Sequence, residues 1–174
     1  MIRRLSRRQS MARWPIVPMT KLKQSLEAAL GWFELGLSGE ALRELDQMSP
    51  ADRQRVETLE LRAVLLQQQQ RWEEAAETYA QLCRNAEACI DRFIAWGCCL
   101  YELGRIGACR EALLTAPPAA RDHGLWNFHL ACYEAQLGHR DEARRLVHRC
   151  LQLDPRLRRM AGRNSQLAPL LQAE

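Results

Sequence analysis

The sequence predicts an all-α protein, a stack of about four helix–turn–helix pairs with a C-terminal capping helix. Three observations lead there. Small and large apolar residues return at a spacing of 34: Ala75 aligns with Ala41, Cys109 and Ala143, and Tyr79 with Leu45, Leu113 and Val147. A fixed period of that size marks helix pairs that bury their apolar faces only by stacking on one another. Leu, Ala, Glu, Gln and Arg dominate while Val, Ile, Thr and Tyr are few, which favours helices over strands. Turn glycines fall at one phase of the period, at Gly36, Gly104 and Gly138.

The first helix is expected from about Pro18 to Leu35, since Leu22, Leu26, Ala29, Leu30 and Phe33 recur at helical spacing. Gly36 ends it, and Ser38 caps a second helix to about Met48. Ser49-Pro50-Ala51-Asp52 opens the next, with Ser as cap, Pro in the first turn and Asp against the helix dipole. That helix should carry Val56, Leu59, Ala63 and Leu66 as far as Gln70. Trp72 to about Cys83 completes the second pair. The third runs from about Ala88 to Leu103 and from Ile106 to Thr115, with an extended break at Pro117-Pro118. The fourth runs from about Gly124 to Leu137 and from Arg140 to Leu153, and Asp154-Pro155 stops it. Arg156–Ala161 and Ser165–Gln172 read as short helices covering the open end of the stack. The resulting organisation is a basic arm over 1–17, repeats over 18–155 with units starting near 22, 56, 90 and 124, and a capping segment over 156–174.

Four columns agree across the units. Small residues stand at Ala29, Ala63, Gly97 and Ala131 in the first helices, and at Ala41, Ala75, Cys109 and Ala143 in the second. Helices approach closely only where no bulky side chain intervenes, so these columns mark the crossings. The turn column is Gly36, Gln70, Gly104 and Gly138. The large apolar column runs from Leu45 to Val147. Trp32, Trp72 and Trp96 should face neighbouring helices and pack in the core, whereas Trp126 is one place off the usual aromatic site.

With these columns, the flanks Glu34-Leu35-Gly36, Glu102-Leu103-Gly104 and Gln136-Leu137-Gly138, and the closing Leu153-Asp154-Pro155, the chain resembles the tetratricopeptide repeat family from about Lys21 to Pro155. Gln70 departs from the turn glycine, Arg140 from the aromatic at Trp72, and the first unit is the most degenerate. Phe128 to Gly138 is similar to the last repeat of small bacterial members. The resemblance implies a right-handed superhelix whose concave wall is built by the first helix of each pair. It implies peptide-contacting positions at Leu26, Leu30 and Phe33; Glu60, Val64 and Gln67; Ile94, Cys98 and Tyr101; and Phe128, Cys132 and Ala135. That wall is largely apolar and lacks the Lys and Asn set with which chaperone-tail-binding relatives clamp a carboxylate.

Motifs for chemistry are sparse. The sequence has no glycine-rich phosphate loop, no His-Glu-x-x-His and no nucleophile elbow. His129 and Cys132 could share a helix face, but no Cys-x-x-Cys pair supplies zinc spacing, and Cys98 and Cys99 point about 100° apart on a helix. No catalytic residue, cofactor or metal is therefore expected. The seven cysteines read as reduced thiols of a reducing, cytoplasmic compartment, with Cys98 and Cys132 as the ones facing solvent.

Residues 1–26 hold seven cations (Arg3, Arg4, Arg7, Arg8, Arg13, Lys21, Lys23) and no acid, while the remaining 18 basic and 21 acidic residues leave the body at −3. Only the arm is basic, which disfavours a nucleic-acid platform. No apolar run approaches the roughly 18 residues of a membrane span. Arg7-Arg8 lacks the apolar segment of an export signal. The expected function is a non-enzymatic adaptor that binds an apolar peptide or helix of a protein partner in the concave groove, with no small-molecule substrate. A chaperone for an exported client, like the small bacterial type III translocator chaperones, is the alternative. A structural homo-oligomer is the third reading.

Overall fold

The computed structural model describes residues 20–85, 87 and 89–171. Trp14 and the arm lie outside that range. Among the described residues every regular element is helical and there is no strand.

Local chemistry sets most helix boundaries. Thr20 accepts the Lys23 amide at 3.3 Å and starts α1 (Lys21–Glu34). Helix α2 spans Ser38–Asp46. Ser49 accepts the Asp52 amide at 3.1 Å and opens α3 (Pro50–Arg53). Next come α4 (Val56–Gln68), α5 (Trp72–Asn85), α6 (Ile90–Glu102) and α7 (Ile106–Leu114). A 3-10 turn covers Pro118–Asp122, and His123 Nδ1 then accepts the Trp126 amide at 3.3 Å at the start of α8 (Gly124–Gln136). Helix α9 is Arg140–Leu153, and Asp154-Pro155 ends it as expected. The tail holds α10 (Arg158–Arg163) and α11 (Ala168–Leu171), with Ala161, Leu167 and Leu170 buried.

Two boundaries differ from expectation: Ser38 does not cap α2, since Leu37 stands at the cap and the Ser38 hydroxyl donates to Gln68 instead, and the second lies at Ser49. Ser49-Pro50 does not start a helix that runs to Gln70: α3 stops at Arg53, and Arg55 is extended (ψ 148°) before α4 begins. The reason is tertiary. The face of α4 is fixed by Leu59, Ala63 and Leu66, all buried in the core, so the segment that leaves Met48 has to turn before joining it.

Within each pair the first helix, labelled inner, packs on the second, labelled outer, as α1 on α2, α4 on α5, α6 on α7 and α8 on α9. Successive pairs then meet through α2 with α4, α5 with α6 and α7 with α8. Ala29, Ala41, Ala63, Ala75, Cys109, Ala131 and Ala143 are all fully buried at these crossings. A Cβ added at Gly97 would lie 2.6 Å from Leu113 Cδ1 and 3.2 Å from the Tyr133 hydroxyl, so any larger residue at that crossing would have to displace the fully buried Leu113 side chain. The large column is equally internal, with Leu45, Leu113 and Val147 at 0% exposure and Tyr79 at 6%.

The turn column shares one backbone state: Gly36, Gly104 and Gly138 have φ of 75°, 71° and 84°, and Gln70 has φ 56°. A side chain in that left-handed region is strained by about 1–2 kcal/mol. Gln70→Gly removes the strain but frees the unfolded chain, so a net gain of about 0.5–1 kcal/mol is expected. Thermal melting would show a midpoint about 2 °C higher. An unchanged or lower midpoint would mean the strain is relieved in some other way.

The boundaries also reveal an alternation. Helices α2 and α7 are short and of equal length, Ser38 and Asp46 recurring as Ile106 and Leu114, 68 positions later. Each is followed by a proline-started turn, Pro50-Ala51 and Pro118-Ala119. Helices α5 and α9 are long and again match at 68 positions, Trp72 with Arg140 and Asn85 with Leu153. The structural period is thus a double unit of one short and one long outer helix.

One further side chain departs from expectation. Trp32 is 39% exposed, although its equivalents Leu66, Leu100 and Glu134 are 2%, 7% and 2% exposed. Those three pack in units that follow an outer helix, and no described helix precedes α1. Trp72 and Trp96 are partly buried against the core, and Trp126 is buried with its indole N–H donating to the Leu113 carbonyl at 3.0 Å. The buried acid Glu134 accepts from Arg110 Nε and pairs with His139 Nδ1, both at 2.6 Å, tying α7, α8 and the following turn.

Candidate functional site

The twelve predicted wall residues lie on the four inner helices, and the structure divides them into two unlike halves. On α1 and α4 the wall is open. Leu26, Leu30 and Phe33, spaced four and three apart, form one stripe of α1. With Leu61 and Val64 of α4 they line a hollow of about 380 Å³ whose polar lining is Glu57 and Glu60 alone. Leu30 is 44% exposed and Val64 38%. Glu60 is held by Arg92, which donates from Nε at 2.9 Å and from a terminal nitrogen at 2.6 Å. Gln67 is half-buried and accepts the Tyr79 hydroxyl at 2.7 Å.

On α6 and α8 the wall is mostly filled. Ile94, Phe128 and Cys132 are buried at 7%, 6% and 6% exposure, which corrects the expectation that they face an open groove. Helices α6 and α8 touch directly, and Tyr133 and His129 fill the space between them. Tyr101 stays 44% exposed, stacked on Tyr133 with centroids 6.1 Å apart, and its hydroxyl accepts from Gln136 at 3.4 Å. Cys98 and Ala135 are half-buried. A smaller hollow of about 220 Å³ remains, lined by Cys98, Tyr101, Phe128, His129 and Cys132. The tail reaches its rim, where Asn164 donates to the Cys132 sulfur at 3.4 Å.

Burial governs the chemistry of this hollow. It lowers His129 from 6.5 to about 4, so the ring is neutral at physiological pH. It raises the Cys98 thiol and pushes Cys132 up to about 12. Cys98 Sγ and His129 Nδ1 are 3.9 Å apart, but a protonated thiol beside a neutral ring is a poor nucleophile. Cys132 is thus not the solvent-facing thiol expected from sequence. No group of three or more His, Cys, Asp or Glu side chains among the described residues could hold a metal ion.

Sequence reasoning missed Leu61, Tyr133 and Asn164. Leu61 was detectable, being three residues before Val64 and so on the same stripe. Asn164 carried no signal, because it lies beyond the repeats.

Solved structures share this fold. The chain superposes on a crystal structure of MamA with a TM-score of 0.75, at 15% identity over 86% of this chain and 80% of that one. It is also similar to YrrB, described as a TPR protein with an unusual peptide-binding site (TM-score 0.65, 15% identity, 84% and 81% covered). The chain has the tetratricopeptide repeat fold. PilF of Pseudomonas aeruginosa is a third similar structure (TM-score 0.67, 19% identity, 86% and 67% covered). The sequence matches no family model and no curated protein. No helix among the described residues of this tetratricopeptide array is long and apolar enough to cross a membrane.

Proposed function

We propose that this tetratricopeptide array is a non-enzymatic protein-interaction module that receives an apolar peptide or helix of a partner between α1 and α4. One observation carries the reading. Leu26, Leu30, Phe33, Leu61 and Val64 form a continuous apolar hollow with Leu30 and Val64 open to solvent. A soluble surface seldom leaves such a patch without a partner. The structurally similar YrrB, a repeat protein with an unusual peptide-binding site, supports it. An exported client's segment is one form such a peptide can take, as in the secretion-chaperone reading.

Selection of displayed random peptides against the protein, followed by calorimetry on the enriched sequences, tests this. Enriched peptides should be apolar. Leu30→Ser with Val64→Ser should weaken them at least about tenfold. The melting temperature should barely move, because both side chains are exposed. Equal affinity for the double variant would remove the groove from the reading. A molar mass above one chain in dilute solution, lost in the same variant, would instead assign the hollow to self-association.

A further inference from the structure

The short outer helices α2 and α7 each leave a hollow on the face of the stack opposite the inner wall. The first is lined by Asp46, Pro50, Arg53, Gln54 and Arg62, among others, and polar pairs bridge it: Arg62 with Asp46, and Gln81 with Gln54. The second lies 68 positions further on, where α7 stops at Leu114 and the Pro118 turn leads into α8. Here the Arg62–Asp46 bridge is lost, while the Gln81–Gln54 bridge recurs as the Arg149–Asp122 ion pair. Leu130 stands for Arg62, Leu114 for Asp46 and Leu146 for Thr78, so the floor is apolar, and Trp126 adds to it. The hollow measures about 670 Å³, and Leu114 is 47% exposed at its mouth.

Arginines surround that floor. Arg145 pairs with Glu142, and Arg149 donates to Asp122 Oδ1 at 2.6 Å. Arg121 also lines the hollow, and its guanidinium makes no ion pair or hydrogen bond with a described residue. Three cations against two carboxylates leave the hollow one positive charge in excess. The chain around it is more basic still: residues 140–163 hold eight arginines and three acids.

We infer that this outer hollow is a second docking site, for a peptide segment that carries a carboxylate beside a large apolar side chain. The apolar floor takes the side chain. The open guanidinium fork of Arg121 takes the carboxylate, for which its planar geometry is suited. A basic segment is disfavoured by the same excess charge, and a purely polar acid would leave Leu114 exposed. This site is independent of the inner groove, because none of its lining residues is on α1, α4 or α6.

The test uses the full chain and three capped pentapeptides, titrated by calorimetry at low and high salt. The first has a central Leu flanked on both sides by Glu. The second replaces each Glu with Lys, and the third replaces the Leu with Gly. The first should bind saturably below about 1 mM and weaken with salt, and the other two should not. Arg121→Ser should weaken it about fivefold and Leu114→Ser about tenfold. Both residues are exposed, and an unchanged melting curve checks that each variant folds; Arg121→Gln is the substitute if Arg121→Ser does not. Several results overturn the assignment: no saturable binding below 1 mM, equal binding of the Lys peptide, or no change in either variant. Loss of binding in Leu30→Ser would move the peptide to the inner groove and overturn it too. So would a concentration-dependent dimer that Leu114→Ser abolishes, since the occupant would then be a second copy.

Discussion

Ala75→Trp is expected to destabilise the protein by on the order of 3 kcal/mol, while Glu77→Trp changes stability by no more than about 0.5 kcal/mol. The two positions are near neighbours on one helix, and the larger propensity loss from Ala to Trp accounts for only a few tenths of a kcal/mol of the difference (about 0.5 at most). Their surroundings differ. Ala75 is 0% exposed and stands in the small column, where α5 crosses a neighbouring helix. An indole there must separate the helices or force its own rotamer. Glu77 is exposed, so an indole there meets water. Urea unfolding measured by circular dichroism gives both values. Equal midpoints for the two variants would mean that the register of the columns is wrong.

Acidification should destabilise the protein through His129. Burial holds this ring near pKa 4 in the folded state against 6.5 when exposed. The unfolded chain therefore binds the extra proton first. The associated stability is complete above pH 6.5, declines as the pH falls, and is lost once the pH passes below 4. Between pH 7.5 and pH 5 the loss is about 2 kcal/mol. The groups facing the ring are Cys98, Tyr101 and the exposed Glu102 from α6, Tyr133 on its own helix, and Asn164 from the tail. Of these only Glu102 is an acid, and its exposure weakens any help it gives the imidazolium. Unfolding at both pH values, for the native protein and for His129→Asn, isolates the effect. The variant should lose about 2 kcal/mol less over that interval. Parallel losses in the two proteins would show that the ring is not desolvated.

Much of the fold was legible because its signals are local or periodic. Crossing positions demand small residues, and a 34-residue period repeats that demand, so Ala29, Ala63 and Ala75 could be placed without coordinates. Turn glycines were legible for the same reason, since a left-handed φ is a property of one residue. Even Gln70, the exception, takes the conformation its column requires. Glu134 and the Pro50 and Pro118 turns were visible as residues, but their roles depend on what they meet.

Only the tertiary structure decided which of these faces stay open. Trp32 and Leu66 occupy one repeat position, yet one is 39% exposed and the other 2%, because among the described residues only the second lies in a unit that follows an outer helix. Phe128 and Leu30 were read as members of one wall. Both helix pairs touch, but Phe128 is enclosed with the His129 ring edge-on against it, while Leu30 between α1 and α4 stays 44% exposed. Exposure is a property of neighbours far apart in the chain. A repeat pattern specifies the helix and the face it presents, but the packing of the adjoining units determines whether that face is core or binding surface.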